Sequence, residues 1–338
     1  MRILCAHWKH ADDAALERQH FPDVTFDIWR EVPEAPPAET CRTVDAVINC
    51  SAVRLLGRDP DAFDRCRIVI RSGVGFDNLD LPGWSRRQVP VCNVPDYGTT
   101  EVADHAIALG LALARGTATY HDALRSDPSG NWNFAAAPLV RRLRGATFGV
   151  VGLGRIGLAA ARRAAAFDME VAFYDPYLPT GFDLAVGYRR VHSLAGLFAE
   201  SDIVSIHTPL TDETRDMVGA TAFANAKPGV IVVNTARGPI IDFDALHDAL
   251  RSGRVGGAGL DVLPEEPANP AHPLIAAWHK REAWLDGRLT LTPHAAFYSA
   301  AAQKDLRLKS VEVAVTYIRD GRLMNCVNAD RLGQQAGA

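Results

Sequence analysis

The sequence predicts an α/β protein built from two doubly wound parallel sheets, and three observations carry that expectation. Short β-branched runs alternate with longer helical patterns from end to end, which is how parallel strands covered by helices read. A length of 338 residues suggests about two domains. A glycine-rich turn, Gly152-Leu153-Gly154-Arg155-Ile156-Gly157, follows an apolar strand and opens an Ala-rich helix, the arrangement that begins a βαβ unit.

Taken in order, the first third offers strands at 2–6, 24–29, 46–49, 67–71 and 89–93, separated by helical or loop segments such as the Pro-rich stretch 32–38. From about residue 101 an Ala/Leu-rich helix runs to 125, and the Ser-Asp-Pro-Ser-Gly run at 126–130 ends it. Six further strands follow at 147–151, 171–174, 203–207, 230–234, 259–262 and 289–292, with helical segments after most of them. The Pro-rich stretch 264–273 reads as a loop, because strand and helix patterns continue beyond it. A last helix at about 299–320 leaves too little chain for a third domain, so it must pack on something earlier. No internal repeat interrupts this pattern.

Apolar residues are 48% and charged residues 22%, with 27 Gly and 20 Pro, close to soluble globular averages, which excludes general disorder and fibrous repeats. Lys plus Arg number 36 against 40 Asp plus Glu, a net charge of -4. No basic excess drives binding to nucleic acid or anionic lipid, so neither partner is expected. The longest smooth apolar stretch, 106–114, is about half of what a bilayer crossing needs, and the first residues do not read as a signal peptide. Six cysteines show no Cys-x-x-Cys pair, so no metal site or disulfide framework is expected, and the chain reads as reduced and cytoplasmic.

The chemistry begins at the glycine-rich turn. Gly152 permits the tight turn, Gly154 lets the backbone approach a pyrophosphate, and Gly157 lets helix and strand close. Phosphate charge then sits on the helix N-terminus. Asp175 lies 23 residues after Gly152 at the end of the next strand, where it would bind ribose hydroxyls and repel a 2′-phosphate. NAD is therefore favoured over NADP. Pro176 and Tyr177 supply no cation, and Arg189 is the next basic residue.

Three polar residues fall at the ends of later strands, where open α/β sheets place their ligands. Arg237 carries a planar fork suited to a carboxylate. His294 changes charge most easily near neutrality, as reversible proton transfer to a carbinol oxygen requires. Glu266 has the charge to hold an imidazolium. Taken singly, a surface arginine, a capping histidine and a solvated acid read equally well, and spacing alone does not separate these roles.

Over nearly its whole length the chain resembles the D-isomer-specific 2-hydroxyacid dehydrogenases. The blocks that carry the resemblance stand in family order: Arg71-Ser72-Gly73-Val74-Gly75-Phe76-Asp77-Asn78, Val102-Ala103-Asp104, the glycine-rich turn, His207-Thr208-Pro209-Leu210, Asn234-Thr235-Ala236-Arg237-Gly238, Asp261-Val262 and Pro293-His294-Ala295-Ala296. The resemblance implies two Rossmann-like domains, with an NAD-binding domain at 101–295 inserted in a discontinuous, flavodoxin-like substrate domain at 1–100 plus 296–338. The active site is expected in the cleft between them.

By the same resemblance, His294 is the acid/base, Glu266 its partner and Arg237 the group that binds the 2-oxo acid. Val74 and Gly75 offer amides to the substrate carboxylate, with Arg71 and Phe297 beside it. NAD(H) falls to Val102, Gly152, Gly154, Arg155, Ile156, Gly157, Asp175, His207, Thr208, Pro209, Thr235, Ala236, Asp261 and His294, with Asp261 on the nicotinamide amide. The segments 173–178 and 293–299 look most like the C-terminal-binding-protein branch, in which a tryptophan stands where Phe297 stands here. An apolar side chain on the substrate is suggested.

Where phosphoglycerate dehydrogenases carry phosphate-binding arginines, the chain reads Asn49-Cys50-Ser51-Ala52-Val53-Arg54. That departure disfavours phosphorylated substrates, while Arg54 keeps them open. The basic run Arg141-Arg142-Leu143-Arg144 reads as a solvated or interface face. Asn131-Trp132-Asn133-Phe134 lies in the region through which the family dimerises, so a homodimer is expected. A corepressor-like NADH sensor is the competing reading, and retention of Arg237, Glu266 and His294 together favours an enzyme.

Overall fold

A computed structural model describes residues 1–31, 35–50 and 59–333. It divides into two compact units, Met1–Gly98 with Ser299–Ala338, and Thr99–Tyr298. Arg54 lies outside the described residues, as do Ser51 to Val53.

The first unit holds β1 (Arg2–Ala6), β2 (Thr25–Trp29), β3 (Ala46–Asn49), β4 (Ile68–Arg71) and β5 (Val91–Asn93). They form one parallel sheet in the order β2-β1-β3-β4-β5, the flavodoxin-like winding. Alternate residues of each strand point to opposite faces, and both faces are covered. Ile3, Cys5, Ala46, Ile48, Ile68, Ile70 and Cys92 pack with Leu306, Val311 and Ala314 of the long helix Ala300–Asp320. Leu4, Ala6, Val47, Val69 and Val91 pack with Cys41, Phe63 and Trp84. Burial on two faces explains why these strands read as continuous apolar runs. The last helix is further tied to the helix Ala15–His20 by Arg307, whose Nε and Nη2 meet Glu17 at 2.7 and 2.6 Å.

The second unit holds β6 (Thr147–Val151), β7 (Glu170–Tyr174), β8 (Arg189–Arg190), β9 (Ile203–Ile206), β10 (Val230–Asn234), β11 (Val255–Leu260) and β12 (Leu289–Leu291). All pairings are parallel, in the order β12-β11-β10-β9-β6-β7-β8. Winding reverses between β6 and β9, which creates the switch point where such sheets take ligands. Phe148, Val150, Phe173, Ile231 and Val233 line one buried face; Val151, Ala172, Val204, Val232 and Leu260 line the other.

Two local expectations are corrected. The single helix expected at 101–125 is two helices, Thr99–Arg115 and Thr117–Ser126, because Gly116 between them takes φ 67. Strand β8 was not foreseen, since two arginines carry no apolar pattern. Among the described residues, no helix is long and apolar enough to cross a membrane.

Candidate active site

Because the second sheet is parallel, the C-terminal ends of its strands share one edge. Gly152 follows β6, Asp175 follows β7, His207 follows β9, Thr235 follows β10, Asp261 follows β11 and Thr292 follows β12. The topology thus gathers residues more than a hundred positions apart in sequence.

His294 Nδ1 and Glu266 Oε2 lie 2.7 Å apart. Both side chains are about two-thirds covered, at 33% and 34% exposure. The other Glu266 oxygen, Oε1, accepts from the Leu263 amide at 3.0 Å. Burial pushes the Glu266 carboxyl up, but the hydrogen bond and charge of His294, the Leu263 amide and the charge of Arg237 outweigh it and hold the group below its ordinary value. Glu266 therefore stays ionised wherever a histidine changes charge. His294 itself sits at φ 54, in the left-handed region, a conformation that persists only where the surroundings enforce it.

That enforcement comes from Asp261, which is 2% exposed. Its Oδ1 accepts from Thr292 Oγ1 at 2.6 Å and from the Ala295 amide at 2.8 Å, and its Oδ2 accepts from the Ala296 amide at 2.9 Å. The His294 amide donates to the Asp261 carbonyl at 2.8 Å. From the helix Thr99–Arg115, His105 Nε2 reaches Thr292 Oγ1 at 2.9 Å. The histidine loop is thereby clamped from both sides. His105 and Thr292 were not foreseen. Thr292 had a signal in its polar position just before Pro293-His294; His105 had none, being 187 residues from its partner.

Arg237 follows β10 with its Nη1 on the Ala236 carbonyl at 2.8 Å, and Asn234 Nδ2 holds the Arg237 carbonyl at 2.9 Å. What brings it near Glu266 is Gly238. A Cβ there would lie 1.9 Å from the Leu263 carbonyl carbon, so only glycine lets the β10 loop press against the loop that carries Glu266. Phe297 meets the His294 ring edge-on, with centroids 6.2 Å apart and planes at 81°.

At the glycine-rich turn, Gly152 has φ 86, and a Cβ there would lie 2.7 Å from Thr208 Cγ2. A Cβ on Gly157 would meet the Gly152 carbonyl oxygen at 2.1 Å, while one on Gly154 would meet nothing within 4 Å. The turn is thus tight on the protein side and open on the other. Arg155 is exposed and Ile156 half-buried at the start of the helix Arg155–Ala165. Asp175 accepts the Leu153 amide on Oδ2 and the Tyr177 amide on Oδ1, both at 3.0 Å.

A family model described as D-isomer specific 2-hydroxyacid dehydrogenase, NAD binding domain, matches residues 107–296. The chain belongs to that family. It is 36% identical over 321 residues to a glyoxylate reductase of Korarchaeum cryptofilum, covering 92% of this chain and 91% of the relative. Among solved structures it is similar to an NADPH-dependent glyoxylate/hydroxypyruvate reductase of Sinorhizobium meliloti in complex with NADP and malonate, at 30% identity and a TM-score of 0.81, covering 98% and 97% of the two chains. A D-lactate dehydrogenase of Aquifex aeolicus complexed with NAD and lactic acid aligns at 26% identity and a TM-score of 0.80, covering 94% and 95%. Membership makes the protein a nicotinamide-dependent oxidoreductase acting on 2-hydroxy acids.

The residues of this dehydrogenase fit such a cofactor. The open side of Gly154 leaves room for a pyrophosphate, and the hydroxyls of Thr208 and Thr235 are buried without a partner among the described residues. Burial pushes the His207 imidazole down to about 4, so it is neutral at physiological pH, and its Nε2 lies 2.8 Å from Ser205 Oγ. Val102 is buried on the helix Thr99–Arg115, Ala236 is half-buried, and Pro209 is exposed with its carbonyl accepting from Thr214.

Arg189 does not reach Asp175; it pairs with Glu200 at 2.7 Å. Arg190, which has no motif signal, instead donates Nη2 to the carbonyls of Asp175 and Leu178 at 2.7 and 2.8 Å. In the first unit, Arg71 ends β4 with Nη1 on the Ser72 carbonyl. The loop after it is pinned to the next strand, since Asn93 Nδ2 donates to the Val74 carbonyl at 2.6 Å and the Val94 amide to that of Gly73 at 3.1 Å. Gly75 is half-buried in the same loop.

Proposed function

We propose that this dehydrogenase reduces a small 2-oxo acid at C2 with NADH, using His294 as proton donor, Glu266 as its charge partner and Arg237 as the substrate's anchor. The observation that carries the reading is the 2.7 Å pairing of His294 with an ionised Glu266 whose carboxyl also feels Arg237. A bound reduced nicotinamide supplies the hydride. Arg237 offers a fork of donors to the carboxylate and polarises the carbonyl. His294 gives its proton to the nascent alkoxide oxygen, and in oxidation takes it back. Glu266 keeps the imidazolium favourable until the proton leaves. We assign the Val74 and Gly75 amides and Arg71 to the substrate carboxylate, and Asp261 to the nicotinamide amide.

NADH over NADPH is supported by the Asp175 carboxylate at the end of β7, and by Arg189 being engaged with Glu200. An apolar substrate side chain is supported by Phe297 standing edge-on to His294. A second reading, glyoxylate or hydroxypyruvate, is favoured by the reductases to which the chain is 36% and 30% identical. One panel separates them: phenylpyruvate, methylthio-oxobutyrate, glyoxylate, hydroxypyruvate and phosphohydroxypyruvate with NADH, followed by loss of reduced nicotinamide absorbance. The highest kcat/KM with the first two supports the apolar reading; highest values with the next two replace it. Turnover with none of the five overturns the proposed substrate range. We also infer a homodimer joined near 131–134, where Trp132 and Phe134 are 80% and 93% exposed and a second copy would cover them. A cytoplasmic site fits the six free cysteines.

A further inference from the structure

The chain beyond the last helix returns to the edge of the first sheet. The Asn93 amide donates to the Asn325 carbonyl at 3.2 Å and the Val327 amide to the Val91 carbonyl at 2.8 Å. Asn328 adds to the stitch by accepting from the Val91 amide at 2.8 Å. Between the two flanking bonds, Cys92 and Cys326 stand opposite each other in an antiparallel bridge. This is the non-hydrogen-bonded kind of pair, whose Cα atoms approach to about 4.5 Å with side chains on the same face. Disulfides need a Cα separation of about 4.4 to 6.8 Å. Backbone pairing alone therefore sets the two cysteines at a Cα separation of about 4.5 Å, inside the range a disulfide accepts.

We propose that Cys92 and Cys326 form a reversible disulfide when the protein meets a peroxide, closing the C-terminal segment covalently onto the edge strand of the first unit. Cys326 is half-buried and Cys92 fully buried, so the reaction starts at Cys326. The hydrogen bond shared with Cys92 holds the Cys326 thiol below its ordinary value against the effect of burial, and Cys326 Sγ also meets Asn328 Oδ1 at 3.3 Å. The same sharing of one proton keeps Cys92 protonated.

The Cys326 thiolate attacks one peroxide oxygen: an S–O bond forms, the O–O bond breaks, and hydroxide leaves and takes a proton as water. Sulfur is oxidised to a sulfenic acid and the peroxide is reduced. The Cys92 sulfur then attacks the sulfenic sulfur, forming S–S, breaking S–O and releasing a second water that carries the Cys92 proton. Two thiols and one peroxide yield one disulfide and two waters. Elsewhere in the same unit, burial pushes the Cys50 and Cys66 thiols up to about 12, which withholds the nucleophilic thiolate.

The full-length protein is exposed to a few equivalents of hydrogen peroxide, acid-quenched, alkylated in urea and digested without reductant for mass spectrometry. A cross-linked Cys92–Cys326 peptide pair is expected, lighter than its reduced halves by two hydrogens, with a loss of two thiols that dithiothreitol reverses. Cys326→Ser, at a partly exposed position, should keep all its remaining thiols under the same exposure. In the reduced protein at neutral pH, iodoacetamide should label Cys326 at least tenfold faster than Cys50 or Cys66. Cys326 found as sulfinic acid beside a free Cys92 thiol, oxidation spread equally over the cysteines, or Cys326 labelled no faster than the others would each overturn the proposal.

Discussion

Replacing Glu266 by glutamine keeps the shape of the His294 partner and removes its charge. In the native pair the Nδ1 to Oε2 distance is 2.7 Å, and a hydrogen bond to a charged group contributes about 1.5–3 kcal/mol. Both side chains are about one-third exposed, so water screens the charge and brings the contribution just under that range, to about 1.4 kcal/mol or one pH unit. The sign follows from which form the carboxylate favours. Glu266 is held below its ordinary value, so it remains ionised across the histidine's titration and stabilises only the imidazolium. On the proposed role of His294 as proton donor, kcat/KM for a 2-oxo acid with NADH should fall as pH rises, and in Glu266→Gln that fall should come about one unit earlier. Rates measured from pH 5 to 9 for both proteins decide it. An inflection left in place by the substitution would remove Glu266 from the pair, and substantial activity in His294→Ala would remove the histidine itself.

Arg237→Ala should lower kcat/KM by about 10² to 10³-fold, or about 3–5 kcal/mol, because an anionic substrate then loses its fork of donors; lysine should restore little. Near-normal turnover, or equal loss of NADH affinity by titration, would make the arginine structural. Asp175→Ala should narrow an NADH over NADPH preference of about tenfold or more, about 1.4 kcal/mol in the native protein; steady-state kinetics with both cofactors checks it, and equal native efficiencies would refute the role of Asp175. Arg307→Ala strands Glu17, which is 1% exposed, and should cost about 3–5 kcal/mol, a fall in Tm on the order of 10 °C, read by calorimetry. An unchanged Tm would show that the pair contributes nothing.

The two sheets were legible because their strands are buried on both faces. Ile3-Leu4-Cys5-Ala6 and Val230-Ile231-Val232-Val233 are apolar at every position. Where the side chain is small or charged the signal fades. β11 begins at Val255 rather than near 259 because Gly256, Gly257 and Gly259 carry no strand propensity. β8 is two arginines held by their ladder to β7 and by guanidinium contacts to Glu200 and the Asp175 carbonyl. The break at Gly116 is hidden because apolar spacing continues through it while only the backbone turns. In the site, the glycine-rich turn and the strand-end positions of Arg237 and His294 could be read directly, since topology places strand ends together. The pairing of Glu266 with His294 came from the family resemblance and not from spacing, because a loop carries one of them and loops have no periodicity.

Asp261 shows how much of a site lies beyond motif reading. The resemblance assigns this carboxylate to the nicotinamide amide, yet its oxygens already accept from Thr292, Ala295 and Ala296. An ionised carboxylate has about four acceptor positions, so three filled positions leave capacity for one N–H of a carboxamide. Both uses fit the same group. The three internal bonds explain why His294 can be held at φ 54, and the fourth position would register a cofactor against the same loop. A buried charge with so many donors is costly to leave half-satisfied, so the loop is firmest when every position is filled. With Asp261 on the nicotinamide amide as proposed, the side chain that meets the cofactor would also be the one that fixes the backbone of His294, and a substitution at Asp261 would alter both together.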